Sequence, residues 1–292
     1  MEGYHRSVLV EEVNKALDIK EGSWYVDATL GDGGHSLKIL ELGGKVLGID
    51  QDYEAIKRSK ERFDGVGIRE ENYKLRQGNF SNLGSLREQT DIKGQIKGVL
   101  FDLGVSSLQI GDPKRGFSFL QEGPLDMRMD LDLEVKAQDL INGLNKEELN
   151  ELFYKLGEEK FSKRIADTIV RARKVRKIET TRQLADLIER EIGRREKIHP
   201  ATRVFQALRI AINDELNVLK VGLKEALRVL DKGVIVVISF HSLEDRIVKT
   251  TFKDWQEKGL GEGNKEIIRP NEDEIRINPR SRSAKLRIFK KL

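Results

Sequence analysis

The chain has 292 residues, 38% hydrophobic and 35% charged, long enough for one large or two ordinary domains with a buried core. No run approaches the roughly 18 apolar residues of a membrane span, and the N-terminus (Met1-Glu2-Gly3-Tyr4-His5) carries no signal-type apolar stretch. Cysteine is absent and Lys plus Arg exceed Asp plus Glu by only 53 to 49, which excludes disulfides and thiolate metal sites, fits a reducing cytoplasm, and makes any polyanionic partner a matter of charge clustering.

Ser7–Leu17 places Val8, Leu9, Val13, Ala16 and Leu17 at helical spacing, with Ser7 as a candidate cap. Tyr25-Val26-Asp27-Ala28-Thr29-Leu30 then reads as a strand running into Gly31-Asp32-Gly33-Gly34-His35, and Ser36–Leu42 as a helix. Strand, glycine turn and helix form the arrangement that brings backbone N–H groups close to a bound nucleotide. Glycine supplies positive φ there and leaves room that a Cβ would take from the ligand. A second strand, Lys45–Ile49, delivers Asp50 roughly 20 positions past the glycines, placed to accept from both hydroxyls of a ribose. The glycines do not spell the dinucleotide pattern G-x-G-x-x-G. Asp27, just before the turn, would repel a pyrophosphate and suits the ammonium of a methionine moiety, so the charge pattern favours S-adenosylmethionine over NAD. The same glycines would also serve a turn that only tightens a strand–helix corner.

Glu54–Phe63 reads as a charged helix and Tyr73–Gln77 as a third strand, ending at Gly78-Asn79-Phe80. Phe80 has two readings, stacking on an adenine or packing in the core. Ile96–Asp102 is the fourth strand. Runs ending in Asp27, Asp50 and Asp102 make a repeated βα pattern, hence a parallel sheet with carboxylates gathered at the edge where ligands bind. Alternation then stops. From Gly111 to about His199 the sequence predicts loops with turn signals at Pro113 and Pro124, then helices opening at Lys136 and covering Lys146–Leu156, Glu159–Lys174 and Thr181–Ile192. An apolar stripe from Pro200 to Leu230 predicts a helix pair, or one long helix broken near Gly222. Asp231-Lys232-Gly233 would end it, before the buried strand Val234–Phe240. Asp245–Lys258 reads as a helix, Gly259–Asn264 as a glycine-rich loop and Ala284–Lys290 as a closing edge strand.

Three stretches carry candidate chemistry. Asp102-Leu103-Gly104-Val105-Ser106-Ser107-Leu108-Gln109 offers acceptors, Asp102 and Ser106, that would hold an exocyclic amine in line with a methyl donor. It is not the D/N/S-P-P-aromatic motif of many amino methyltransferases, so the acceptor stays open. In Ser239-Phe240-His241-Ser242-Leu243-Glu244-Asp245-Arg246, Phe240 would stack on a base and His241 would touch a base or phosphate. Alternatively, Ser242, Glu244 and Asp245 simply open a helix. Lys160, Lys163, Arg164, Arg171 and Lys174 share one side of a predicted helix, and Arg280 and Arg282 lie in a basic C-terminal stretch. Two such clusters in a chain of net charge +4 suit a phosphate backbone. No G-x-S-x-G occurs, and none of the four histidines (His5, His35, His199, His241) has metal-ligand spacing.

Taken together, these motifs resemble one family, the S-adenosylmethionine-dependent methyltransferases H of small-subunit ribosomal RNA, also called MraW. Its marks are His5-Arg6-Ser7-Val8-Leu9, Gly31–Ser36, Asp102–Ser107, Arg115-Gly116-Phe117-Ser118-Phe119, Gly123-Pro124-Leu125-Asp126-Met127-Arg128-Met129, His199-Pro200-Ala201-Thr202-Arg203, Ser239–Arg246 and Asn278–Ser283, in order along nearly the whole chain. The resemblance implies an α/β, Rossmann-like class I core with a mostly parallel seven-stranded sheet (1–110 and 200–292) and an inserted all-helical domain (111–199) that recognises RNA. It implies methylation of a cytidine N4 in the decoding region of bacterial 16S RNA, with a 30S subunit, assembled or nearly so, as partner and a homodimer as a further expectation. Cofactor contacts carry over to Gly33, Gly34, His35, Asp50, Phe80, Asp102 and Gln109. The candidate catalytic set is Asp102, Ser106 and His241; the candidate RNA contacts are Arg164, Arg171, Arg280 and Arg282. Leu108 departs from the family, standing where proline is expected. Two other functions compete: a non-catalytic RNA-binding protein, which has no need of Gly33, Gly34, Asp50 and Asp102 together, and a methyltransferase for DNA cytosine or a small molecule.

Overall fold

The repeated βα pattern builds a seven-stranded sheet. Its strands are β1 (Trp24–Asp27), β2 (Lys45–Asp50), β3 (Tyr73–Gln77), β4 (Ile96–Asp102), β5 (Leu230–Ser239), β6 (Gly261–Gly263) and β7 (Lys285–Lys291), in the order β3-β2-β1-β4-β5-β7-β6. The first five are parallel, β7 runs antiparallel to β5, and β6 antiparallel to β7. This is a computed structural model and describes residues 4, 6–193 and 199–292. His5, in the first family motif, and 194–198, inside the expected insert, lie outside the described residues.

The chain divides into two compact units, Met1–Gly104 with Leu216–Leu292, and Val105–Glu215. In the first, alternation along each strand sends side chains to opposite faces of the sheet. Val26, Leu47, Ile49, Val99, Phe101, Ile235 and Val237 enter one buried cluster. Their strand neighbours Tyr25, Val46, Leu100, Val236 and Ile238 enter another. Both faces are therefore covered, as a parallel sheet requires. The flanking helices are α1 (Val10–Leu17), α2 (Gly34–Glu41), α3 (Tyr53–Gly65) and α4 (Leu83–Glu88), with α11 (Glu215–Val229), α12 (Ser242–Glu257) and α13 (Glu272–Ile277) after the second unit.

The second unit contains α5 (Ser107–Gly111), α6 (Ala137–Gly143), α7 (Lys146–Gly157), α8 (Ser162–Val175), α9 (Thr181–Ile192) and α10 (Thr202–Ile212) around its own core, which includes Leu149, Phe153, Ile165, Ile169, Leu184, Ile188, Val204 and Leu208. It begins and ends outside the 111–199 expected from the helix-rich stretch. Its connecting segment is a packed structure. Arg115 donates to the carbonyls of Arg128 (3.0 Å) and Met129 (2.9 Å), while buried Asn213 accepts from Met129 N (2.7 Å) and donates to the carbonyl of Met127 (2.9 Å). Gly116 sits at φ 73°, and a Cβ there would lie 2.2 Å from the Pro124 carbonyl oxygen. Neither the strain nor the clash can be relieved by rotating a side chain. Gly116→Ala should therefore destabilise this unit by about 2 kcal/mol or more, read as a lowered thermal midpoint; an unchanged midpoint would show that the loop can open without cost.

Several boundaries differ from the sequence reading. The long stripe is a helix pair, α10 and α11, and the break falls at Asn213–Asp214 rather than near Gly222, because Asn213 is used to bind the Met127–Met129 loop and Asp214 adopts φ 47°. Asp231-Lys232-Gly233 is part of β5, which begins at Leu230 directly after α11. β7 is interior rather than an edge, since Gly261–Gly263, read as loop, pairs outside it as β6. Ser7 does not cap α1; Leu9, at φ 53°, precedes that helix, and its N–H donates to Glu274 Oε1 at 2.7 Å.

Candidate active site

The strand order reverses direction between β1 and β4, the switch point where a crevice opens beyond the carboxyl ends of an α/β sheet. Asp27 ends β1, Asp102 ends β4 and Asp50 ends the neighbouring β2. The sequence pattern thus delivers three carboxylates to one edge. Thr29 ties two of these strands together, its Oγ1 accepting from Asp102 N at 2.6 Å.

The glycine turn joins β1 to α2. Gly31 and Gly33 sit at φ 54° and 75°, and Gly33 N donates to the Leu30 carbonyl at 2.8 Å. The room left by two of the missing Cβ atoms is filled by protein rather than reserved for a ligand. A Cβ on Gly33 would come within 2.9 Å of the Phe63 ring, and one on Gly34 within 2.1 Å of Ser7 Oγ. At Gly31 the space is open, and its N–H donates to Asp50 Oδ2 at 2.8 Å. Tyr4 extends the same cover, lying over the guanidinium groups of Arg58 and Arg62 with separations of 5.1 and 4.7 Å. Arg62 in turn donates to the Asp32 carbonyl at 3.1 Å.

Electrostatics at this edge are set by burial. Asp50 accepts from Gly31 N and, at 2.9 Å, from Asp52 N, yet desolvation outweighs both bonds and its carboxyl is pushed up to about 6. Asp27 is 1% exposed and accepts from Ser36 Oγ at 2.7 Å and Thr29 N at 3.3 Å. Desolvation raises it above the usual carboxylate range against the pull of His35 and these bonds. His35 is buried on the first turn of α2, with Nε2 3.5 Å from Asp102 Oδ2. Burial pushes the imidazole down, but Asp102, Asp27 and Glu274 more than offset it and raise it overall. Beyond that long contact with Asp102, neither ring nitrogen of His35 has a hydrogen-bond partner among the described residues, and neither does Asp102 Oδ1.

The other expected residues fall into distinct settings. Phe80, three residues after β3, packs edge-on against Phe101 at 5.3 Å, fills the place of a Cβ on Gly222 and stays half-buried against the core. His241 is the N-cap of α12: Nδ1 accepts from Glu244 N at 3.4 Å, and Glu244 Oε2 accepts from Phe240 N at 2.8 Å and His241 N at 3.2 Å. The helix-opening alternative describes His241's contacts, with the histidine itself rather than Ser242 as cap. Ser106 and Gln109 lie in the second unit and cap each other across the first turn of α5, Ser106 Oγ accepting from Gln109 N and Gln109 Oε1 from Ser106 N, both at 3.2 Å. Gln109 stays buried and held by this box with Leu108 in place of proline. On α8, Lys163, Arg164, Arg171 and Lys174 share the exposed face opposite Ile165 and Ile169. Arg164 pairs with Glu191, and Arg171 with Asp167 at 3.3 Å. Arg280 and Arg282 are exposed on the turn Pro279–Ser283.

The sequence reading did not single out Thr29, Ser36, Tyr4, Arg62 and Glu274 as parts of this edge, and it took Ser7 as a helix cap rather than as the group that fills the space at Gly34. Local spacing signals Ser36, one residue beyond His35 on the same helical turn. Thr29 is also local to Asp27, two residues away, while Tyr4, Arg62 and Glu274 arrive through contacts between remote segments and leave no local pattern.

This edge fits an adenosine cofactor with a cationic tail. A desolvated Asp50 carboxylate gains from hydroxyl donors, positive charge is favoured beside Asp27 and Asp102, and the orphaned atoms of His35 and Asp102 leave buried polar groups to be satisfied. The chain is similar to several known proteins. The chain is 46% identical over 291 residues to a protein of Coprothermobacter proteolyticus named ribosomal RNA small subunit methyltransferase H, covering 98% of this chain and 96% of that one. A protein of the same name from Sulfurihydrogenibium azorense is 46% identical over 296 residues, covering 99% of each. Among solved structures, a putative methyltransferase from Streptococcus mutans in complex with SAH matches with a TM-score of 0.45 and 12% identity, over 99% of this chain and 100% of that one. The MraW methylase family profile matches residues 2–292, and the chain belongs to that family.

Proposed function

We propose that this chain transfers the methyl group of S-adenosylmethionine to the N4 amine of a cytidine in the decoding region of bacterial small-subunit ribosomal RNA. The full-length likeness to proteins named ribosomal RNA small subunit methyltransferase H supports methylation of ribosomal RNA. The observation that carries the chemistry is the set of carboxylates Asp27, Asp50 and Asp102 at the switch point, beside a positive-φ glycine turn. When bound, S-adenosylmethionine supplies an electrophilic methyl group on a sulfonium. Asp50 accepts from the ribose hydroxyls, Asp27 and Asp102 favour the cationic end, and Asp102, with a free oxygen lone pair, accepts from the target amine and orients it. Orientation of this kind supplies most of what an in-line transfer needs from a protein. Ser106 and His241 are the remaining acceptor candidates. His241 is the weaker of the two, because both of its ring nitrogens face Glu244. The reaction takes place in the cytoplasm, on a small subunit that is assembled or nearly so. No helix among the described residues is long and apolar enough to cross a membrane.

Nucleoside mass spectrometry of ribosomal RNA from cells with and without the gene tests this reading. Loss of N4-methylated cytidine on deletion is the expected result, and an unchanged cytidine profile would overturn it.

The arginines at 164, 171, 280 and 282 are proposed phosphate contacts, with Arg164 and Arg171 exchanging Glu191 and Asp167 for phosphate. Replacing all four with glutamine should weaken RNA binding and shrink the salt slope of log K by about 0.7–0.9 per lost contact, with single-turnover methylation at saturating RNA near wild type. A full salt slope in the variant would place the RNA elsewhere. Lys163 and Lys174, which have no ion partner among the described residues, would then be the next to replace.

A further inference from the structure

S-adenosylmethionine enters its site with a positively charged sulfonium, and S-adenosylhomocysteine leaves as a neutral thioether of otherwise identical structure. A site built from carboxylates binds the first readily and is left with surplus negative charge around the second. We propose that His35 is the proton-exchanging counter-ion of this site, protonated when the site is empty or holds the thioether product and neutral when it holds the sulfonium cofactor.

The geometry is that of a buried imidazole enclosed by acids on separate elements. Asp102 approaches it from β4 with Oδ2 at 3.5 Å, and the carboxylates of Asp27 on β1 and Glu274 on α13 act on it through space. On its own helix the adjacent Ser36 is neutral and bonded to Asp27, and on α3 Arg62 is engaged with Asp32. Apart from the long 3.5 Å approach of Asp102 to Nε2, neither ring nitrogen of His35 has a hydrogen-bond partner among the described residues, and the ring keeps or loses its proton according to the charge around it. The acids raise its affinity for a proton despite its burial. A sulfonium placed among the same carboxylates substitutes for the imidazolium and repels it, which favours the neutral ring. By linkage, the cofactor then binds with release of a proton that the product does not release. Deprotonation favours cofactor over product, so their affinity ratio rises with pH through the neutral range. In turnover the charge balances: methyl leaves sulfur for nitrogen, the amine loses one proton, and the site that held a cation regains the capacity to hold a proton. The inference rests on S-adenosylmethionine as cofactor and not on which RNA amine is methylated.

The direct test is nitrogen NMR of uniformly labelled full-length protein, without RNA, following the His35 ring, assigned through its backbone, at about pH 7. The expected signals are imidazolium in the free protein and with S-adenosylhomocysteine, and a neutral ring with S-adenosylmethionine. The same charge state with both ligands overturns the proposal. Calorimetric affinities give a second readout: the preference for S-adenosylmethionine over S-adenosylhomocysteine should grow about tenfold between about pH 6 and 8. Most of that growth should vanish in His35→Gln; the ligand's own amine, which also titrates, contributes equally in both proteins. Growth of the same size in His35→Gln assigns the effect to another group and overturns the proposal. Should His35→Gln fail to fold, the wild-type NMR titration decides.

Discussion

Replacing Asp102 with asparagine should lower single-turnover methylation by about a hundredfold or more while leaving RNA affinity within about twofold. The substitution preserves shape, and the backbone at 102 stays fixed by the 2.6 Å bond from its N–H to Thr29 Oγ1. What changes is the end group. Asp102 Oδ1 has no hydrogen-bond partner among the described residues, so the carboxylate has a lone pair to offer an amine, whereas an asparagine NH2 turned toward that amine would oppose one donor with another. Because orientation matters most at the transition state, turnover should carry the loss and ground-state RNA binding should not. The measurement is single-turnover kinetics at saturating RNA and cofactor, alongside RNA titrations. Normal turnover would remove the β4 carboxylate from the chemistry and move the acceptor role to Ser106 or His241.

Asp50→Ala should weaken S-adenosylmethionine binding by about 1.5–3 kcal/mol, the scale of hydrogen bonds to a charged group, or roughly tenfold to a hundredfold in Kd. The variant also strips Gly31 N and Asp52 N of their acceptor, so part of the loss comes from a less ordered turn. Asp50→Asn, which keeps one acceptor oxygen, should recover part of it. A pH dependence follows with a defined sign. In the free protein the Asp50 carboxyl is pushed up to about 6 by desolvation, and ribose hydroxyls donate to the ionised form. Near pH 7 most molecules are ready to bind, and as pH falls through about 6 each further unit should lower affinity by about tenfold. Calorimetry across that range checks it. Unchanged affinity in Asp50→Ala would move the ribose contact to another residue.

What the sequence by itself determined about this protein was the content of its local patterns. Alternating apolar residues ending in acids predicted the parallel strands and put Asp27, Asp50 and Asp102 at one edge, because a strand's end and a βα connection are both encoded within a few residues. The glycine turn was legible for the same reason, as was the helical stretch after Asp102, where period-two runs give way to period-three-and-four stripes. Only the tertiary structure decided how remote groups use the same residues. Phe80 leans its ring on the core because Phe101 and the bare Cα of Gly222 leave a slot for its edge. His241 became a helix cap because Glu244 folds back on it. The long stripe broke at Asn213 because a loop some eighty residues away needed its amide. The crowding of acids around His35 is of the same kind. Asp27, Asp102 and Glu274 come from β1, β4 and α13, and a charge environment assembled from such distant segments depends on separations in space and on burial. Both are set by packing, and neither leaves a mark on any short stretch of sequence.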